Sequence, residues 1–154
     1  MYSNLNIKPA RDRSDKVSPH EQLALPVIQR QDASFENFLG DVNIKCVALL
    51  KQSLEKHDET LIYVAGPGGA GKTHLMCAAM SFFESHHNRL ACYFSMDDFV
   101  ENTDVDALFE GLDGFSLVVL ENIDVWLNSS SREQSLFNLF NHFKITGQQL
   151  LLSA

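Results

Sequence analysis

Residues 66–73 read Gly-Pro-Gly-Gly-Ala-Gly-Lys-Thr, which is the G-x-x-x-x-G-K-[ST] pattern of a phosphate-binding loop, and they follow directly on the apolar run Leu61–Ala65. Only a glycine-rich turn lets successive backbone N–H groups converge on phosphate oxygens. A helix that begins at the end of such a turn directs its positive dipole end at the same anion. A strand, this loop and an amphipathic helix in succession therefore predict a nucleotide-binding unit, and a chance glycine loop is the alternative.

The loop and the residue after it form the predicted nucleotide site. Lys72 supplies a mobile cation for the outer phosphates of ADP or ATP, and Thr73 offers its hydroxyl to Mg²⁺. The complete set of predicted nucleotide-binding residues is Gly66, Pro67, Gly68, Gly69, Ala70, Gly71, Lys72, Thr73 and His74.

Composition narrows the class of protein. The chain has 154 residues, 45% of them hydrophobic, which is enough for one domain with a core. A formal net charge of −8 argues against direct, strong DNA binding, because that mode needs clustered Lys and Arg. Cys46, Cys77 and Cys92 lie far apart in apolar stretches, which predicts buried free thiols in a reducing compartment. No stretch approaches the roughly 18 apolar residues of a membrane span, so we expect no membrane contact and a cytoplasmic protein.

The pattern along the chain predicts a tail and one α/β domain. Residues 1–33 mix charged and polar side chains with prolines, which predicts a flexible tail, and residues 34–154 form the predicted domain. We expect helices from Asn43 onward, after the loop as far as Asn88, after Ser95 and after Ser129, and strands at 61–65, 90–94, 115–120 and 149–153. Helices alternating with strands predict a doubly wound parallel sheet with its ligand at the carboxyl ends of the strands. Because the chain stops at the last strand, we expect the fold to be incomplete at its C-terminus.

Several side chains are assigned to the core from helical spacing. The first helix is expected to bury Ile44, Val47 and Leu50. The helix after the loop and the last helix are expected to present broad apolar faces, which comprise Leu75, Ala78, Ala79, Phe82 and Phe83 in the former and Leu136, Phe137, Leu139, Phe140 and Phe143 in the latter. We interpret these phenylalanines as core rather than as stacking platforms for bases. His86 and His87 are interpreted as a solvated helix end rather than as metal ligands.

A second functional position follows the buried run at 115–120. P-loop ATPases place an acidic side chain there for Mg²⁺, and many follow it with a carboxylate that activates water. Here the residues are Glu121, one methylene longer than the usual Asp, and Asn122, which has no basic carboxylate. Since general-base assistance is worth about 10²–10⁴ in rate, we expect slow hydrolysis or none and assign no catalytic residue. Asp124 is a substitute base or, as the favoured alternative, a surface acid.

A short apolar motif interrupts the polar tail. Gln22, Leu23, Leu25 and Pro26 belong to the segment Gln-Leu-Ala-Leu-Pro. Proline disfavours a helical conformation at the preceding residue, and in an extended chain the two leucines point to one side. The segment suits docking into an apolar groove of another protein, with packing on its own domain as the alternative.

The tail motif and the sequence Gly-Lys-Thr-His-Leu at 71–75 together resemble the DnaA/Hda group of AAA+ P-loop proteins, over roughly residues 22–154. Three further segments are similar to that group: Phe35–Phe38 with Asn43, Leu117–Asp124 and Leu136–Asn141. The short gap between Phe94 and Leu117 resembles the regulatory branch of the group rather than DnaA itself.

The resemblance implies a AAA+ module that regulates replication initiation. In its ADP-bound form such a regulator promotes hydrolysis of DnaA-bound ATP and so prevents re-initiation. The resemblance implies that Gln22, Leu23, Leu25 and Pro26 bind the sliding clamp, the β subunit of DNA polymerase, and that Glu121 is the metal-binding acid. The expected arginine finger and sensor arginine would lie beyond Ala154, and assembly into a homo-oligomer is left open.

The rival hypothesis is an active AAA+ ATPase of the DnaA initiator type or of the DnaC- or IstB-like helper type. These proteins share the strand, the loop and the Gly-Lys-Thr-His-Leu pattern. The tail motif and Asn122 argue against them.

Overall fold

The structure is a computed structural model that describes residues 33–38, 43–99 and 105–154, with only the backbone of residues 105 and 106. The tail motif at 22–26 lies outside the described residues. Its docking role and the domain boundary between residues 33 and 34 therefore stay predictions.

Helices and strands alternate along the described chain. In order they are α1 (Ile44–Lys56), β1 (Leu61–Val64), α2 (Lys72–His87), β2 (Ala91–Ser95), α3 (Val105–Glu110), β3 (Leu117–Glu121), α4 (Ser130–Thr146) and β4 (Gln149–Ser153). Short 3₁₀ turns follow β2 at Met96–Asp98 and β3 at Ile123–Val125. The predicted strands are all present, as are the helices from Asn43 onward, after the loop and after Ser129, with ends shifted by at most two residues. The helix expected directly after Ser95 is instead a 3₁₀ turn, and α3 begins only at Val105.

The four strands form one parallel sheet in the order β1-β4-β3-β2. The register places Leu150 of β4 beside Leu61 on one side and Val118 on the other. Every residue of β3 and β4 is buried, as a sheet covered on both faces requires. The predicted doubly wound α/β sheet is thus confirmed, and all carboxyl ends lie at one edge.

Two apolar layers cover the sheet, one on each face. Alternate residues of a strand point to opposite faces, so Leu151 of β4 packs with α1 and α2 while its neighbours Leu150 and Leu152 pack with α3 and α4. In the first layer Leu54 and Phe83 are fully buried, and in the second Trp126 and Phe143 are. Helix α2 buries seven residues on several sides rather than one face, namely Leu75, Met76, Cys77, Ala78, Ala79, Met80 and Phe83.

The prediction of a core position is wrong for two residues. Ile44 is 64% exposed and Phe137 is 59% exposed. Residues three apart on an α-helix point in directions that differ by about 60°. Ile44 and Leu50 are two such steps apart, so Ile44 points roughly 120° away from the buried Leu50. Phe137 lies about 160° around α4 from the buried Leu139.

The cysteine prediction is correct for two thiols and wrong for the third. Cys77 and Cys92 are buried and free, whereas Cys46 is free but exposed on α1. Burial, with the charge of Glu84 as a smaller cause, raises the pKa of the Cys92 thiol to about 12, so this group stays protonated. Among the described residues, no helix combines the length and the apolar character that a membrane span would need.

Two serines stand where side-chain caps commonly occur, one before the turn after β2 and one before α4. Ser95 and Ser129 do precede a 3₁₀ turn and α4, but neither side chain makes a cap hydrogen bond, and the Ser129 hydroxyl lies 3.1 Å from that of Ser131. Gly147 ends α4 with φ 76°, the left-handed conformation that glycine adopts at low cost.

Two phenylalanines on α4 test this core. Phe143→Ala should lower the free energy of unfolding by about 3–5 kcal/mol, because it removes a fully buried ring between α4 and the sheet. The matched control, Phe137→Ala on the same helix, should cost less than about 1 kcal/mol. Urea unfolding followed by circular dichroism measures both, and equal losses would contradict the assigned packing of α4.

Candidate functional site

The glycine-rich loop joins the carboxyl end of β1 to the first turn of α2. Its start is fixed to the neighbouring strand: Ala154 N–H donates to the Val64 carbonyl at 3.2 Å, and Gly66 N–H donates to the Ala154 carbonyl at 3.3 Å. Within the loop, Ala70 N–H donates to the Pro67 carbonyl at 3.2 Å. The loop is therefore anchored at the edge of the sheet where ligands of such folds bind.

Two glycines give the loop its curvature. Gly69 and Gly71 have φ 77° and 84°, which L side chains rarely adopt. A Cβ on Gly71 would also lie 2.8 Å from Cε2 of Phe38, whereas a Cβ on Gly68 or Gly69 would meet no atom within 4 Å. One side of the loop is thus closed by the Phe38 ring, and the other is open to a ligand.

The Lys72 ammonium group is folded back over the loop. It donates to the Gly66 carbonyl at 2.6 Å and to the Pro67 carbonyl at 3.1 Å. Phosphate oxygens carry charge and are stronger acceptors than carbonyls. The same cation can therefore pass from the loop to a bound phosphate.

The predicted metal pair, Thr73 and Glu121, is brought together. Glu121 is the last residue of β3 and is only 3% exposed, so it is a buried strand residue. The Thr73 hydroxyl donates to its Oε1 and the Tyr93 hydroxyl to its Oε2. Carboxylate and hydroxyl oxygens are ligands that Mg²⁺ prefers, so this pair fits the predicted cation.

Asn122 and Asp124 take different directions beyond β3. Asn122 adopts a left-handed backbone with φ 58°, and its amide donates to a carboxylate oxygen of Asp97 at 2.5 Å. Asp97 lies in the 3₁₀ turn after β2, so this bond links the ends of two strands. Asp124 is exposed, which agrees with its interpretation as a surface acid.

His74 connects α2 to the segment before α1. Its Nε2 lies 3.0 Å from the Ser34 carbonyl, and its ring stacks on Phe38 with centroids 5.5 Å apart. Phe38 in turn lies against Gly71. The segment at 34–38 thus packs beside the loop, while a contact of His74 with a nucleotide stays a prediction.

Two residues of this edge were not identified from the sequence. Ser153, at the end of β4, is fully buried, and its hydroxyl has no hydrogen-bond partner within the described part of the chain. By strand alternation it points to the face of Leu151, where α2 lies. The second such residue is Tyr93 in β2. The sequence does contain a signal for each: Ser153 is a polar residue that ends a run of leucines, and Tyr93 places a hydroxyl inside a buried strand.

The paired histidines differ in exposure: His86 is exposed at the end of α2, as predicted, whereas His87 is half-buried. His87 Nε2 lies 2.8 Å from the Leu54 carbonyl, and its ring packs on Phe83 at 4.7 Å between centroids. His86 stacks on Phe82 at 5.4 Å. Over residues 33–38, 43–99 and 105–154, no group of three or more His, Cys, Asp and Glu side chains could hold a metal ion.

A sheet in the order β1-β4-β3-β2, with a glycine loop after β1 and an acid at the end of β3, defines a P-loop fold of the AAA+ class. AMPPCP-bound DnaA from Aquifex aeolicus has the same fold, with a TM-score of 0.68 and 24% identity over 82% of this chain and 43% of that one. The RuvB Holliday junction branch migration motor of Thermotoga maritima is more distant, with a TM-score of 0.56 and 22% identity over 79% and 40% of the two chains.

The family model of the bacterial DnaA ATPase domain matches residues 30–154, so the chain belongs to that family. An uncharacterized protein of Haemophilus influenzae is 32% identical over 133 residues, which are 86% of this chain and 56% of that protein. The chain therefore spans about half the length of this relative.

Two glycines test the geometry of the loop. Gly71→Ala should lower the free energy of unfolding by about 1–3 kcal/mol, because it combines a left-handed backbone with a Cβ that collides with Phe38. The control Gly68→Ala, with open space around its Cβ, should change it by less than about 1 kcal/mol. Thermal unfolding of both variants makes the comparison, and a stable Gly71→Ala variant would argue against this loop conformation.

Proposed function

We propose that this chain is a nucleotide-binding regulator of replication initiation, similar to Hda, that acts on DnaA. Membership of the DnaA ATPase domain family supports a role at initiation. The observation that carries nucleotide binding is the arrangement of the Lys72 ammonium, the Thr73 hydroxyl and the Glu121 carboxylate around one glycine loop.

ADP or ATP would be held by the residues at the start of α2. The first N–H groups of a helix have no partner within it, and together with the loop amides they suit phosphate oxygens. Lys72 would neutralise the outer phosphates, and Thr73 with Glu121 would hold Mg²⁺, which supplies positive charge beside them. Ser153, whose buried hydroxyl has no hydrogen-bond partner among the described residues, offers one more polar group at the same edge.

Binding without efficient turnover is the activity that this edge supports best. Asn122 uses its amide to bind Asp97, and Asp124 faces solvent. Neither supplies a base beside the loop, so we propose that the chain binds nucleotide and that hydrolysis takes place on DnaA. Phosphate release by the chain alone, at a rate that DnaA does not change, would favour the rival hypothesis of an initiator or a DnaC- or IstB-like ATPase.

In this proposal the tail recruits the protein to the sliding clamp. Gln22, Leu23, Leu25 and Pro26 would dock on the sliding clamp, which would bring the regulator to replicating DNA in the cytoplasm. The net charge of −8 favours such indirect recruitment over direct DNA binding.

Lys72→Ala tests the nucleotide site. Loss of a charged hydrogen-bond donor should weaken Mg²⁺–ADP and Mg²⁺–ATP binding by about 10- to 100-fold in isothermal titration calorimetry. Lys144→Ala, which removes an exposed lysine from α4, is the matched control and should bind like the unchanged protein. Equal affinities of all three proteins would remove the proposed role of the loop.

Paired substitutions in the tail test recruitment. Gln22→Ala with Leu25→Ala should abolish capture by the immobilised sliding clamp and leave nucleotide affinity unchanged, since the motif precedes the domain. Gln29→Ala with Gln31→Ala changes two polar residues of the same tail and should leave capture intact. Unchanged capture of the Gln22/Leu25 variant would refute clamp docking through this motif.

A further inference from the structure

The environment of Glu121 contains a residue that the P-loop pattern does not include. Both carboxylate oxygens of this buried side chain accept hydrogen bonds from hydroxyl groups, Oε1 from Thr73 and Oε2 from Tyr93. Thr73 belongs to the loop motif. Tyr93 lies in β2, is 7% exposed, and belongs to the strand that borders β3.

The strand register explains how Tyr93 reaches the acid. Ser95 pairs with Glu121 and Tyr93 pairs with Val119, so Tyr93 lies two residues before the neighbour of Glu121. Residues two apart on a strand point to the same face. The long tyrosine side chain can therefore extend along this face to the carboxylate.

We propose that Tyr93 is a positioning residue for Mg²⁺, and that it holds the Glu121 carboxylate in the one orientation that leaves Oε1 beside Thr73. The inference rests on the proposed nucleotide function and adds a residue to it. Glu121 has one more rotatable bond than aspartate at the same place. A hydroxyl donor fixed in the sheet removes that freedom before the cation arrives.

Partners behind a metal ligand have a measurable effect on metal affinity. Substituting such a partner typically costs about 10- to 100-fold in metal binding, because the ligand must then be ordered when the metal binds. If Tyr93 only filled space in the core, its hydroxyl would affect folding but not the coupling between Mg²⁺ and nucleotide. The effect of Mg²⁺ on ADP affinity therefore distinguishes a positioning role of Tyr93 from a packing role.

The test compares ADP affinity with Mg²⁺ and with EDTA in the Tyr93→Phe variant. We expect the factor by which Mg²⁺ increases ADP affinity to fall about tenfold in this variant. Its ADP affinity in EDTA should stay within about twofold of that of the unchanged protein. The control is Tyr63→Phe in β1, whose side chain is 53% exposed, and it should keep the full gain. An undiminished Mg²⁺ gain in Tyr93→Phe would overturn the inference.

A double-variant cycle identifies the partner of Tyr93. Glu121→Asp shortens the acid by one methylene and takes it out of the reach of the tyrosine hydroxyl, so adding Tyr93→Phe to it should change the Mg²⁺ gain by less than about twofold. An equal effect of Tyr93→Phe in both backgrounds would mean that it acts without Glu121 and would also overturn the inference. If the unchanged protein bound no ADP at all, the proposed function itself would fail, which is a different result.

A further measurement needs no substitution. The buried hydroxyl proton of Tyr93 should give a slowly exchanging NMR signal in the ADP-bound protein, and this signal should move when Mg²⁺ is added, because the accepting carboxylate is then polarised. A signal that does not respond to Mg²⁺ would overturn the inference even if Tyr93→Phe failed to fold.

Discussion

The hydrogen bond between Thr73 and Glu121 connects the two halves of the site. Thr73 lies in the first turn of α2 and Glu121 at the end of β3, and in the strand order β1-β4-β3-β2 the strand β4 separates β3 from the strand that carries the loop. A buried carboxylate without such donors would cost several kcal/mol. The intervening strand ends in Ser153, whose small side chain lies on the same face. A larger residue there would stand between the loop and the acid.

The loop itself is held by contacts that a ligand can replace. The Lys72 ammonium binds two carbonyls of its own loop, so the loop keeps its shape through an interaction that phosphate would outcompete. The opposite side is closed by Phe38 against Gly71, and His74 ties that segment to α2 through the Ser34 carbonyl. The segment before α1 is thereby part of the wall of the site, which explains why a glycine is required at position 71 in particular.

The sequence predicts the sheet and the loop well because both depend on local chemistry. Short continuous apolar runs such as Leu117–Leu120 suit strands covered on two faces, and the loop pattern is typical of one backbone conformation. Ile44 and Phe137 were wrongly assigned to the core because spacing gives a helical face but not the extent of its partner surface. Cys46 was wrongly assigned because an apolar stretch of sequence does not show which side of the helix a residue occupies. Tyr93 was not identified because its proposed role depends on Glu121, which lies on another strand. Only the strand register shows that the two residues are close.

Membership of the DnaA ATPase domain family and the arrangement of the sheet edge agree on a nucleotide-binding unit, while the proposed regulatory role depends on the tail and on the neutral Asn122. The most direct test is a crystal structure of the protein grown with Mg²⁺ and ADP. We expect a diphosphate on the backbone amides of residues 68–73, with the Lys72 ammonium moved from the Gly66 carbonyl to a phosphate oxygen. ADP bound elsewhere, or a Lys72 that stays on its own loop beside bound ADP, would contradict this expectation.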